Sequence, residues 1–400
     1  DIFDRIAKVE VKERRPILGV QHDFFYRNKL EFSFSNKLWI PREDMDKGIN
    51  QDRNVLGFHV PKVFDKLIDI EECYLQVPLV SQILNEMRDF SIEKNITCYD
   101  FKEHTGFLRN LMFRSSAATG ELMLTLIVAK DDKQLIAEIF SHLQSKFPEI
   151  QHFIWIVNTK LNSSFSDLPF HVWEGLPYIT ERLGNFQYQI SPTSFFQTNP
   201  TQADTLYSVA KEMLQSTLKE GQEKHQIVYD LYTGTGSIAI YVSDLAEKIV
   251  GIEYVESSII DAKKNCQIND IQHINFYAGD MAKVLTEDLV KKEGAPSVII
   301  TDPPRAGMAK KVIVQILKTL PEHIIYISCH PATQARDVDM MRDFYDVIAI
   351  QPVDMFPQTA HVENVCLLKK KDQIAVNEVE IALQKFEEKG MEALGEMLEE

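Results

Sequence analysis

The 400-residue sequence contains no Cys-x-x-Cys pair, and its five cysteines, Cys73, Cys98, Cys266, Cys329 and Cys366, are odd in number and widely scattered. That pattern excludes a disulfide scaffold and a self-contained metal site, and it points to reduced thiols. No apolar run approaches the roughly 20 residues of a membrane-spanning helix, and the opening Asp1-Ile2-Phe3-Asp4-Arg5 lacks a signal-peptide pattern. A cytoplasmic location with no membrane partner is expected. No internal repeat or low-complexity stretch is present, and the length predicts two globular domains.

Positive charge is also scarce, with 43 Lys and Arg against 59 Asp and Glu, a formal net charge of −16. The imbalance is uneven. Residues 1–170 hold 22 basic and 25 acidic side chains, a net of −3, whereas residues 372–400 carry nine acids against Lys385 and Lys389, a net of −7. A basic face that tracks phosphates therefore survives the acidic total, and RNA is not excluded as a partner.

The second half alternates short β-rich runs with helical patterns, as in a parallel sheet flanked by helices. Strands are expected at Ile227–Leu231, Ile249–Glu253, Ile274–Tyr277, Ser297–Thr301 and Ile324–Ser328, with Val347–Ile350 and Asn364–Leu368 as an antiparallel closing pair. The fold class is α/β, a doubly wound Rossmann-like sheet preceded by an α+β domain. That domain shows alternating strands such as Leu30–Phe34 and Leu122–Val128, with helical patterns over 78–94 and 133–147 covering one sheet face. The expected organisation is a segment 1–19, an α+β domain 20–185 that contacts RNA, a doubly wound domain 186–371 and an acidic helical tail 372–400.

Asp230-Leu231-Tyr232-Thr233-Gly234-Thr235-Gly236-Ser237-Ile238-Ala239 places two glycines between a strand and a helix, where backbone approaches a ligand closely. Glu253 ends the next strand, nineteen residues after Gly234, where a carboxylate accepts from both ribose hydroxyls, and Asp280 follows the third strand, placed for an adenine amino group. Gly234, Gly236 and Ala239 also satisfy the dinucleotide form, so the loop alone does not separate NAD from S-adenosylmethionine.

Asp302-Pro303-Pro304-Arg305 follows the fourth strand, at the edge where open α/β sheets bind ligands. Cys329, in Tyr326-Ile327-Ser328-Cys329-His330-Pro331, closes the fifth. A cysteine in an apolar setting is more often a packing residue, but the polar exit formed by Ser328, His330 and Pro331 favours a nucleophile, and the next helix is expected to favour its thiolate. Glu363, on the returning last strand pair, is a candidate general base.

Taken in order, Tyr26-Arg27-Asn28-Lys29, Ser194-Phe195-Phe196-Gln197-Thr198-Asn199, the glycine loop, Asp302-Pro303-Pro304-Arg305, Ser328-Cys329-His330-Pro331 and His361-Val362-Glu363 resemble the RNA uracil-5 methyltransferase family, from about residue 26 to 370. The resemblance implies S-adenosylmethionine as cofactor, RNA as substrate, Cys329 as nucleophile and Glu363 as base. It also implies that Gln197, Tyr232, Ser237, Glu253 and Asp302 line the donor and target-base site. RNA cytosine-5 enzymes typically carry a second cysteine in the prolyl motif, which Asp302-Pro303-Pro304-Arg305 lacks.

Two departures cost little: relatives often have Asn where His330 stands and Cys where Thr233 stands. A larger one is the absence of a cysteine cluster before Tyr26. Cys73 sits where the family's last iron-sulfur ligand occurs, so a fragment starting inside a longer protein is expected, with no metal site built from this chain. Ribosomal RNA is favoured over the T-loop of tRNA by family analogy. The alternatives are an RNA-binding folding factor using Phe24, Phe25, Tyr26, Arg27 and Lys29, and an NAD-linked oxidoreductase.

Overall fold

The computed structural model describes residues 2–372, so the acidic tail expected over 372–400 lies, beyond Asp372, outside the described residues. Two compact units divide the chain. His22–Pro200 forms one, and Asp1–Gln21 together with the chain from Thr201 forms the other, against the divisions expected at 19/20 and 185/186. The segment read as a leftover of another domain thus supplies β1 (Val11–Arg14) to the doubly wound unit.

Within His22–Pro200, seven strands form one sheet: β2 (Lys29–Lys37), β3 (Asp52–His59), β4 (Leu67–Asp69), β5 (Leu108–Ser115), β6 (Leu122–Val128), β7 (His152–Val157) and β8 (Phe170–Glu174). Their spatial order is β4-β3-β2-β5-β6-β7-β8, antiparallel except for β6 with β7. Helices α1 (Pro78–Glu93) and α2 (Lys133–Lys146) bury stripes at helical spacing, Val80, Ile83, Leu84 and Met87 on one and Ile136, Ile139, Phe140 and Leu143 on the other. Both stripes join a single core with Phe32, Leu111, Leu124 and Phe153 of the sheet. Pro78 begins α1, and the Asp132 side chain accepts from the Leu135 N–H (3.2 Å) to cap α2.

Strands β9 (Ile179–Leu183) and β10 (Phe186–Ile190) pair only with each other, across Gly184 in the left-handed region. A boundary at 185/186 would cut this hairpin at its turn. Two of the resemblance-carrying segments interlock here, since Asn28 donates from its backbone to Thr198 (2.8 Å) and from its side chain to the Gln197 carbonyl (3.2 Å).

The other unit begins its main run with α3 (Pro200–Ser216) and β11 (His225–Leu231), then α4 (Ser237–Tyr241), β12 (Ala246–Glu253), α5 (Glu256–Ile268), β13 (Ile274–Ala278), α6 (Met281–Val284) and α7 (Glu287–Glu293). It continues with β14 (Val298–Thr301), α8 (Lys310–Thr319), β15 (His323–Ser328), α9 (Pro331–Met341), β16 (Tyr345–Val353) and β17 (Glu363–Lys370). The eight-stranded sheet runs β1-β16-β17-β15-β14-β11-β12-β13, parallel except where β17 lies antiparallel between β15 and β16. Central strands such as Val298–Thr301 are buried along their whole length, as helices on both faces require, and so read as continuous apolar runs. Strand order reverses between β11 and β14, which opens a crevice at their C-terminal ends.

Candidate active site

The glycine loop leaves β11 at this crevice. Tyr232 (φ 63°), Gly234 (φ 56°) and Gly236 (φ 77°) all occupy the left-handed region, so the chain reverses tightly and returns into α4. The two glycines serve different ends. A Cβ on Gly236 would press within 3.1 Å of Ala262 and the Phe276 ring, whereas one on Gly234 would meet nothing within 4 Å. Gly236 is a packing glycine, and Gly234 opens a cradle that a side chain would fill. Glu253, at the end of β12, spans the loop: its carboxylate accepts from the Gly234 N–H (3.0 Å) and the Val255 N–H (2.9 Å). Ser237 opens α4 and meets the Tyr207 hydroxyl at 3.1 Å. That helix has only five residues, so it brings less of a dipole to the loop than the sequence suggests.

Asp280 begins α6 by accepting, through Oδ1, from the Ala282 and Lys283 N–H groups (3.0 and 3.3 Å). The carboxylate expected to face an adenine is thus partly committed to a helix cap, leaving Oδ2 for a ligand. Gln197 belongs to the His22–Pro200 unit, where it is buried.

Asp302 leaves β14 half-buried beside the end of β11, its N–H directed at the Leu231 carbonyl (3.4 Å). The prolyl loop after it is tied down from behind. Asp337, fully buried on α9, accepts from the Met308 N–H (2.7 Å) and the Tyr326 hydroxyl (2.6 Å), joining this loop to β15. Gly307 (φ 78°) is forced there, because a Cβ would lie 2.6 Å from the side chains of Arg336 and Asp337.

The antiparallel register pairs Ser328 with Asn364, which carries Cys329, one residue past β15, to the level of Glu363 at the start of β17. Gln334 of α9 clamps this pairing, donating to the Tyr326 (2.7 Å) and Asn364 (3.1 Å) carbonyls and accepting from the Asn364 amide (2.7 Å). Cys329 is a half-buried free thiol, and Glu363 is buried at 4% exposure. His330 caps α9, its Nδ1 accepting from the Thr333 N–H (3.3 Å). An Asn in that position would do the same work, so the departure from the family pattern is physically neutral. Asp337, Gln334 and Tyr207 were not singled out from the sequence, because each acts through partners distant along the chain.

Among the described residues, no three His, Cys, Asp or Glu side chains are grouped to hold a metal ion, and Cys73 packs as a buried free thiol in the core of the His22–Pro200 unit. No described helix is long and apolar enough to cross a membrane.

The sequence model of the tRNA (uracil-5-)-methyltransferase family matches residues 174–371. A protein of Bacteroides thetaiotaomicron named an uncharacterized RNA methyltransferase is 45% identical over 373 residues, which cover 92% of this chain and 81% of that protein. The chain belongs to the RNA (uracil-5-)-methyltransferase family. A Porphyromonas gingivalis protein with the same name is 41% identical, covering 93% of this chain and 80% of its own length. The crystal structure of Pyrococcus abyssi tRNA (uracil-54, C5)-methyltransferase in complex with S-adenosyl-L-homocysteine superposes with a TM-score of 0.69 at 27% identity, covering 92% of this chain and 80% of that one.

The methyl donor of this RNA methyltransferase is S-adenosylmethionine, and the NAD alternative falls away. The residues of the crevice fit a donor that carries positive charge. Asp230 at the end of β11 is fully buried and accepts from the Thr233 hydroxyl, with the Ala239 backbone N–H as a further donor towards it. Asp302 follows β14, the neighbour of β11, and Glu363 opens β17, on the far side of β15. Burial pushes Asp230 up to about 7, assisted by Glu253. Burial, with Asp230 next to it, pushes Asp302 to about 7, and burial with Asp302 pushes Glu363 to about 8. The Cys329 thiol is pushed up by burial, then by Glu363 and Asp302, with Arg305 opposing. Burial first, and the neighbouring acids second, thus work against the thiolate that the helix end was expected to favour. A cation among these carboxyls favours the ionised form of the base Glu363, and its own charge favours the Cys329 thiolate.

This arrangement sets a pH dependence. The carboxyls titrate near 4 in an unfolded chain, so protons they hold in the folded state stabilise it fully below about pH 4, and that contribution is lost as pH rises through 7–8. Without donor, Tm is therefore expected to fall between pH 6 and 8.5, and Asp302→Asn should flatten that fall. Equal slopes for the two proteins in a thermal-shift series would remove the carboxyl cluster as the cause.

Proposed function

We propose that the chain methylates C5 of a uridine in structured RNA, with Cys329 as nucleophile and Glu363 as base. The observation supporting this most directly is the register that sets a thiol and a buried carboxyl side by side at the strand ends. Uracil C5 is a poor nucleophile on its own. Addition of the Cys329 thiolate at C6 opens the C5–C6 double bond and puts carbanion character on C5, while the thiol proton passes to solvent or a neighbouring carboxylate. S-adenosylmethionine, when bound, supplies an electrophilic methyl group for that carbon. Glu363 then takes the C5 proton, the double bond re-forms, and Cys329 leaves with its electron pair. In this reading Tyr232, Gly234, Gly236, Ser237, Glu253 and Asp280 hold the donor and Asp302 faces the target base, which must leave its stack to reach them.

Large-subunit ribosomal RNA is the proposed substrate. A second reading, the T-loop of tRNA, is favoured by similarity to the Pyrococcus abyssi tRNA (uracil-54, C5)-methyltransferase. Radiolabelled donor and total RNA lacking 5-methyluridine test both. Label is expected in 5-methyluridine, and the labelled fraction, ribosomal or transfer, chooses between them. Label confined to another nucleoside would overturn the C5 assignment.

A further inference from the structure

A cleft of about 970 Å³ on the His22–Pro200 unit takes no part in the chemistry above. Three segments form it: the turn after β3, the turn before β5, and the loop after β7, contributing among others His59, Lys62, Phe64, Phe101, Lys102 and Leu161. No carboxylate lines it. Phe64 and Leu161 stand at its rim 63% and 68% exposed, among the most exposed large apolar side chains of the described residues. An exposed ring beside an exposed aliphatic side chain, next to cationic side chains, offers a face on which a flat group can lie.

Hydrogen bonds and ring contacts tie its sides from behind. Arg109, 2% exposed, stacks on the Tyr99 ring (4.1 Å) and donates to the carbonyls of Asn158 (2.8 Å), Lys160 (2.5 Å) and Asn162 (2.7 Å). A buried guanidinium thereby fixes the loop that presents Leu161. Opposite, His59 meets Phe101 edge to face at 5.0 Å, and Phe101 meets Tyr99 the same way at 5.5 Å. Lys102 pairs with Asp65 (2.7 Å), which pins it along the wall. Lys62, exposed in the left-handed region (φ 69°), has no ion-pair partner among the described residues. Its turn adopts a backbone uncommon for a lysine, and the residue lines the cleft.

We propose that this cleft binds an unpaired nucleotide of the RNA substrate, with the base stacked on Phe64 against Leu161 and the adjoining phosphate on Lys62. An RNA enzyme whose chemistry engages a single base gains affinity and register from contacts elsewhere on the strand. A peptide ligand is the competing occupant, and nothing in the cleft provides for its backbone as the cation and the exposed ring do for a nucleotide.

The test is equilibrium binding of a fluorescein-labelled oligouridine of about a dozen nucleotides, read by anisotropy without donor, so that an error in the C5 assignment leaves the result untouched. Phe64→Ala should weaken binding about 5- to 150-fold, and Phe64→Trp should restore it. Lys62→Ala should lessen the slope of log affinity against log salt by about 0.7. Oligouridine carrying 4-thiouridine should cross-link to peptides containing Phe64 or Leu161. S-adenosylmethionine affinity and Tm should stay at wild-type values, which separates loss of the cleft from loss of the fold. Wild-type affinity and salt slope in both alanine variants, or cross-links confined to other peptides, would overturn the proposal.

Discussion

Cys329→Ala is expected to leave no measurable methyl transfer, a loss on the order of 10⁴-fold or more, as for other nucleophiles that form the covalent intermediate. The side chain is small and half-buried at the end of β15, so removing its sulfur should leave Tm and donor binding unchanged. The same variant should fail to form the covalent complex that wild type is expected to make with RNA carrying 5-fluorouridine, where C5 has no proton to lose. Methylation by the alanine variant at even a tenth of the wild-type rate would end the covalent mechanism, whatever the adduct assay showed.

Glu363→Gln should do the reverse, allowing addition and stalling departure. Turnover is expected to fall about 10²–10⁴-fold, and a protein–RNA species that survives denaturing electrophoresis should accumulate. Stability supplies an independent check. Wild type carries the cost of an ionised buried carboxyl once pH exceeds about 8, and a glutamine does not, so the variant should melt at a higher temperature than wild type at pH 8.5. A variant that melts lower there and traps no RNA would show that Glu363 supports the fold rather than the proton transfer.

The doubly wound sheet was legible because each central strand is buried on both faces and sits between helical patterns, so composition and local spacing carried the information. The same holds for the stripes of α1 and α2. What local pattern could not convey is partnership across the chain. Arg109 reads as a charged residue within an apolar strand, and only the carbonyls near Asn158 to Asn162 explain its burial. Gln334 and Asp337 look like ordinary polar positions on a helix, although they fix β15 against β17 and against the prolyl loop. The surroundings of Cys329 escaped the sequence for a related reason. The helix after it was visible there, but the burial of the thiol and the approach of Glu363 and Asp302, which both work against a thiolate, arise only when three strand ends come together.

β1 pairs with β16 at the sheet's edge, and the Gln351 side chain donates to the Pro16 carbonyl across 335 residues. At roughly 5–20 residues per second, a ribosome needs on the order of 15 to 70 s to make that intervening stretch. For that time β1 lacks its β16 partner, while the whole His22–Pro200 unit emerges. Its sequence suits the wait: only Val11 is buried, and Lys12, Glu13 and Arg14 face outward. Charges spaced this closely discourage pairing with a stray strand from a neighbouring nascent chain. Neutralising those three side chains should therefore show itself first as aggregation during synthesis rather than as a change in the finished enzyme.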